Sequence, residues 1–151
     1  MSARRADHDK GKLDFSTLDT LFGFRLRLAQ IKLFQHFRTT LTRFDVTPGQ
    51  AGVLILTRDN PGISQSRLAR AMQVERATLG QTLEGLVARS LVSRERNTGD
   101  RRAYALRLSP EGEKFVAALL PAIRAHEAEV ASNLTDDELE QLRSLLSKFL
   151  G

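Results

Sequence analysis

The sequence predicts a mainly α-helical chain with one small β-hairpin, an α+β fold. Three observations lead there. Apolar residues recur at helical spacing along most of the 151 residues. Helix-start signals stand at Thr47-Pro48-Gly49-Gln50, Ser109-Pro110-Glu111 and Thr135-Asp136-Asp137-Glu138. Only Ala103-Tyr104-Ala105-Leu106-Arg107-Leu108 alternates at strand period, and it follows turn chemistry at Asn97-Thr98-Gly99-Asp100. The length suits one domain with a substantial core. With 41% hydrophobic and 27% charged residues, the composition is that of a folded chain, not a disordered one.

Each element follows in order. Residues 1–14 are charged and without period, so residues 1–17 read as a mobile N-terminal arm. Residues 18–44 read as one long helix without proline, with Gly23 near its start. Its apolar residues, among them Leu18, Leu21, Phe22, Leu26, Ile31, Phe34, Phe37, Leu41 and Phe44, cover more than one stripe. Such a helix needs two partners: one can be its own domain, and a second copy of the chain can be the other, unless the extra Leu and Phe simply build a monomeric helical core. The helix begun at Thr47 carries Ala51, Val53, Leu54 and Leu56 and stops at Asn60-Pro61-Gly62. Ser64 caps a short helix that turns Leu68, Ala69 and Met72 inward. A turn at Gln73-Val74 leads to a helix over residues 76–89 with Leu79, Leu83, Leu86 and Val87 on its apolar face. Leu91-Val92-Ser93-Arg94-Glu95 is the first strand of the hairpin. The helix begun at Ser109 runs through Phe115, Leu119, Leu120 and Ile123 toward Leu134, with a kink expected at Pro121. The last helix carries Leu139, Leu142, Leu145, Leu146 and Phe149.

Two short helices joined by a tight turn and followed by a hairpin make a winged helix-turn-helix. Residues 47–108 are its expected extent, with residues 18–46 and 109–151 forming a helical dimerisation region. The charge is distributed to match. Residues 63–108 hold nine basic side chains, all arginine, against four acidic ones, whereas residues 109–151 hold four basic against eight acidic. The net charge of +5 therefore understates the local basic excess. A helix that reads DNA exposes small and polar side chains in its N-terminal half and buries its other face. Arg76, Ala77, Thr78, Gly80, Gln81 and Thr82 can face outward in this way. Gln81 can pair with adenine, and Arg76 can reach guanine or phosphate. The preceding helix can set its first amides, Ser64, Gln65, Ser66 and Arg67 against a phosphate. The hairpin tip holds Arg94, Arg96, Arg101 and Arg102, a cluster that repels itself unless a polyanion is present. An arginine there could enter a minor groove, and Asp100 is near enough to orient Arg102.

Other chemistries lack their residues. No cysteine is present, which excludes a disulfide scaffold, a thiolate nucleophile, a thiol redox switch and cysteine-bound metal. His8, His36 and His126 show no metal-ligand spacing. No nucleophile elbow or phosphate loop occurs. The expectation is no enzyme, no cofactor and no metal. No apolar run is long enough to span a membrane and no secretory h-region is present, so the chain reads as cytoplasmic.

The ordered set Ser64-Gln65-Ser66-Arg67-Leu68-Ala69, Arg76-Ala77-Thr78, Leu91-Val92-Ser93-Arg94, Asp100-Arg101-Arg102-Ala103 and Leu106-Arg107-Leu108-Ser109-Pro110-Glu111-Gly112 resembles MarR-family transcriptional regulators. The resemblance covers roughly residues 18–150. It implies a homodimer with two winged lobes on a pseudo-palindromic operator. The reading helix would enter the major groove, and the Arg101/Arg102 wing the minor groove. The sequence departs from the family at two positions: Ser90 stands where a glycine is common, and Gly80 where a polar residue is usual.

The resemblance also implies a small-molecule effector that releases the DNA. Six of the eight phenylalanines lie within the first 44 residues, interleaved with Arg25, Arg27 and His36. Phe22, Arg25 and His36 are the candidate ligand contacts for an aromatic acid or its CoA thioester. The stretch Leu21-Phe22-Gly23-Phe24-Arg25-Leu26-Arg27-Leu28-Ala29-Gln30 is similar to family members that sense hydroxycinnamate-type compounds. The functional expectation is a dimeric, ligand-responsive regulator that acts as a repressor. Two readings stay open beside it: a winged-helix module that docks on an acidic protein, and a sequence-neutral architectural DNA binder.

Overall fold

Two helices and a short turn take the place of the one long helix expected over residues 18–44. The structure, a computed structural model, describes residues 13–96 and 104–151, with only the backbone of Arg96. Helix α1 (Ser16–Asp19) closes as the Thr20 hydroxyl donates to the Thr17 carbonyl at 2.7 Å. Leu21 then takes extended backbone, and α2 (Phe22–Thr40) starts afresh. The apolar spacing continues across the break, so periodicity alone did not reveal it. A 3₁₀ turn (Thr42–Phe44) ends at Asp45, whose φ of 49° is left-handed.

Local capping sets the next boundaries. Helix α3 (Pro48–Asp59) opens with a complete capping box between Thr47 and Gln50. Gly62, at φ 85°, turns the chain into β1 (Ile63–Ser64), a strand the sequence did not reveal. Two residues cannot display an alternating pattern, and β1 exists because β3 offers it an edge. Helix α4 (Gln65–Ala71) is capped by Ser64, whose hydroxyl accepts from the Arg67 N–H at 3.4 Å. Helix α5 (Arg76–Ala88) follows a tight turn. Strands β2 (Val92–Arg96) and β3 (Tyr104–Leu108) pair antiparallel, Val92 opposite Leu108 and Arg96 opposite Tyr104. β1 adds to the other edge of β3, giving the order β1-β3-β2.

Helix α6 (Pro110–Val130) has Ser109 as its cap and Pro110 in its first turn, as expected. It continues through Pro121 as one helix, with that ring on the exposed side, and stops at Val130, short of Leu134. Helix α7 (Asp136–Leu150) opens with the Thr135/Glu138 capping box. Bonds from the Thr135 backbone and side chain hold the Glu138 carboxyl below its ordinary pKa.

The main core lies inside the lobe of α3, α4, α5 and the sheet. Leu54, Leu68, Leu83, Leu86 and Leu106 are completely buried there, and Val116 joins them from α6. A second cluster, Phe37, Leu41, Phe44, Ala51 and Leu119, fixes α2 and α6 to α3. The first turn of α6 presses on the end of this lobe. A Cβ at Gly112 would collide with the Leu91 carbonyl, so this approach requires glycine. Among the described residues, no helix is long and apolar enough to cross a membrane.

Candidate nucleic-acid interface

The turn between α4 and α5 is a Schellman motif. Gln73 lies at φ 52°, the Val74 N–H donates to the Ala69 carbonyl at 3.1 Å, and the Gln73 N–H donates to Arg70 at 3.1 Å. The left-handed residue reverses the chain within one step and sets α5 across α4. Gln65 locks the crossing, its side-chain amide donating to the Arg76 carbonyl at 3.4 Å. Gly80 belongs to this crossing as well. It is half-buried, and a Cβ there would lie 3.4 Å from the Gln65 side chain. Its small size thus serves close contact between α4 and α5, and the sequence departure at Gly80 lies beside the outward face, not at its centre.

Leu79, Leu83 and Leu86 are buried, which orients α5. At 100° per residue, the opposite side is centred on Ala77, Gln81 and Ala88, with Thr78, Glu84 and Gly85 flanking. All six are exposed. Thr82 is half-buried, and its hydroxyl donates to the Thr78 carbonyl at 3.1 Å. The lead position of Arg76 leaves it exposed at the mouth of the helix. Glu75, the N-cap, makes no capping bond through its side chain, so first-turn amides stay available to water or phosphate.

The remaining sequence-derived positions divide by element. Arg67 is exposed on α4, Ser66 is half-buried, and the Ser64 hydroxyl is occupied by its cap. Arg94 is exposed on β2. Next to it, Glu95 pairs with Arg107 across the strands at 3.2 Å, withdrawing one arginine from the free basic charge. Asp100, Arg101 and Arg102 lie outside the described residues, as do residues 1–12 of the expected arm.

The end of α5 explains the other sequence departure. Ser90 lies at φ 56°, the left-handed position that favours glycine. The Leu91 N–H donates to Leu86 at 3.0 Å and the Ser90 N–H to Val87 at 2.8 Å, a second Schellman motif. Burial of both Leu86 and Leu91 holds a serine in a conformation it disfavours.

The ligand candidates are spread along α2. Phe22 packs edge-on against Phe149 with centroids 5.1 Å apart, and Arg25 pairs with Asp19 at 3.3 Å. His36 lies eleven residues further, about 17 Å along the helix. Its Nδ1 is 2.7 Å from the Nδ1 of buried His126, and its Nε2 is 3.5 Å from Glu129. Burial, followed by the neighbouring His36, lowers the pKa of His126 below its usual 6.5, against smaller opposing effects of Glu127 and Glu129. Sequence reasoning placed no function on His126, which lies 90 residues from His36. Close to this pair, a groove of about 230 Å³ is lined by Phe34, Phe37, Pro48, Ala51, Ile123 and His126. A larger one of about 510 Å³ shares Phe34, Phe37 and Pro48 and extends past Arg38, Asp45 and Thr47. Among the described residues, no group of three or more His, Asp or Glu could hold a metal ion.

A helix pair with an exposed small-and-polar face, backed by a three-stranded sheet, is a winged helix-turn-helix, a fold that suits DNA binding. The MarR family's sequence profile matches residues 44–103. Over 144 residues the chain is 34% identical to a putative transcriptional regulatory protein for the hcr operon of Thauera aromatica, covering 95% of this chain and 87% of that one. Its fold matches the transcriptional repressor CouR bound to a 23-mer DNA duplex with a TM-score of 0.90, at 29% identity over 93% of this chain and 99% of that one. It also matches BpsR of Bordetella bronchiseptica, whose DNA binding is regulated by 6-hydroxynicotinic acid, with a TM-score of 0.79, 26% identity, and coverage of 85% and 98%. The chain belongs to the MarR family. It is a transcriptional regulator that binds DNA, and not an enzyme.

Proposed function

We propose that the protein is a homodimeric repressor that reads a pseudo-palindromic operator and leaves it when a small aromatic acid or acyl-CoA-type ligand binds. The observation that carries the DNA half of this reading is the face of α5. Ala77, Thr78 and Gln81 stand exposed and unobstructed opposite three buried leucines. Arg76, Ala77, Thr78, Gln81 and Thr82 would meet the major groove, while Ser64, Gln65, Ser66 and Arg67 would position α4 on the backbone. Arg94, Asp100, Arg101 and Arg102 would serve the wing, with arginine entering the minor groove.

The unpartnered apolar residues of the outer helices support the dimer. Phe22, Leu26 and Phe34 of α2 are exposed, together with Leu142, Leu145 and Phe149 of α7. A C2 pairing would cover both sets and place the two reading helices about 34 Å apart, one DNA turn. Residues 18–46 and 109–151 would then be the dimerisation region, with residues 47–108 as the lobe.

The grooves between α2, α3 and α6 support a ligand site at the joint of lobe and dimerisation helices. His36 borders that joint, whereas Phe22 and Arg25 lie too far along α2 to share a small ligand with it. A ligand held there would favour a lobe spacing that no longer suits successive major grooves.

The test is selection of bound duplexes from a random pool, with and without aromatic acids and thioesters. A paired half-site recovered at about 10³-fold over random duplex is expected. Equal affinity for every duplex would overturn the operator reading. Gln81→Ala should relax one base preference per half-site by about 1–3 kcal/mol. Sedimentation should give twice 16.9 kDa.

A further inference from the structure

Helix α5 packs chiefly on α4 and β2, both within its own lobe. One side chain at its end reaches outside. Arg89 donates from one guanidinium nitrogen to the Asp45 carbonyl at 2.7 Å and from the other to the Phe44 carbonyl at 3.0 Å. The guanidinium carbon also lies 5.4 Å from the centroid of the Phe115 ring, which itself meets Phe44 edge-on. Three elements thus converge on one cation: the C-terminus of α5, the 3₁₀ turn that ends α2, and the second turn of α6.

The carbonyls it grips are free for it. The left-handed backbone at Asp45 ends the 3₁₀ turn, and no backbone N–H among the described residues bonds the Phe44 or Asp45 carbonyl. Terminal carbonyls of this kind need a donor. A planar fork with two parallel donors satisfies both and fixes direction as well as distance. A lysine could supply charge but not the paired geometry. Asp45 also lines the larger groove, together with Val46 and Thr47. The contact therefore ties the reading helix to the corner between α2 and α3, where the dimerisation helices meet the lobe.

We propose that Arg89 is a positioning residue for operator recognition. It holds α5 at one angle to the α2–α3 corner and thereby sets the distance between the two reading helices of a dimer. This rests on the dimeric-operator reading above. Arg89 touches no base in this scheme. Its loss should leave the bases chosen within a half-site intact and loosen only the spacing between half-sites.

The experiment compares duplexes selected from a random pool by the full-length wild-type protein, Arg89→Gln and Arg89→Lys. The wild type should recover paired half-sites at one dominant spacing. Arg89→Gln should recover the same half-site bases spread over several spacings, and Arg89→Lys should fall between them. Thermal melting followed by circular dichroism checks the fold of each variant. Identical spacing in all three proteins would overturn the proposal. So would loss of fold in both variants, which would make Arg89 a purely structural cap. A wild-type pool without paired half-sites would instead overturn the operator reading beneath it.

Discussion

The lobe and the outer helices use the same apolar residue types to opposite ends. In the lobe, Leu54, Leu68, Leu83 and Leu106 are wholly enclosed, drawn from four elements spread over about fifty residues of chain. On α7, Leu145 keeps 57% of its surface exposed and Phe149 keeps 60%. The lobe completes its core within one chain, whereas α2 and α7 present apolar stripes that one chain leaves uncovered. Leucine content alone cannot separate the two cases. What separates them is whether neighbouring elements supply the opposite face.

The largest expected effects test this contrast directly. Leu83→Ala should cost about 2–5 kcal/mol of unfolding free energy in urea titrations, because a closed core cannot collapse around the void. Leu145→Ala should change little in the folding of one chain but raise the dissociation constant for self-association, measured by sedimentation. An unchanged dissociation constant would break the comparison. A smaller effect concerns the joint between the two regions. The 2.7 Å contact between His36 and His126 requires one Nδ1 to donate and the other to accept. Protonating both rings would set two N–H groups face to face. The pKa of His126 is lowered in the fold, so the unfolded chain takes up its proton first as pH falls. Stability should therefore be full above about 6.5 and decline as the pH drops below it toward the lowered folded value. Melting temperatures followed from neutral to acid pH should show the decline, and His126→Gln should flatten it. An equal decline in that variant would place the titration elsewhere. The smallest effect belongs to the lobe alone. Ser90→Gly relieves the left-handed backbone and should stabilise by about 0.5–1 kcal/mol, less if the unfolded chain gains comparable freedom. No gain in the urea midpoint would mean that Leu86 and Leu91 hold the turn without strain.

Some parts of this fold were plain in the sequence. The caps at Thr47, Ser64, Ser109 and Thr135 were readable because each acts on a residue three positions away. The buried face of α5 was readable because Leu79, Leu83 and Leu86 repeat at helical spacing, but Val87, expected beside them, is exposed at the edge of that face. Strand β1 was hidden, since its two residues are a strand only beside Leu106 and Ala105. So was the role of Gly80, which depends on the crossing with Gln65. The candidate reading residues on α4, α5 and β2 could be placed individually, but the sequence could not show that the Ser64 hydroxyl and the Thr82 hydroxyl are occupied by local bonds.

By itself, the sequence determined the helical class, the order of the elements from α3 onward except β1, the arginine-rich stretch and the absence of thiol chemistry. These depend on composition and on interactions within a turn or two of chain. Only the tertiary structure decided which apolar faces close and which stay open. It alone brought His36 to His126 and Arg89 to Asp45, across 90 and 44 residues. Such contacts follow from packing of distant elements, and no local periodicity encodes which pairs will meet.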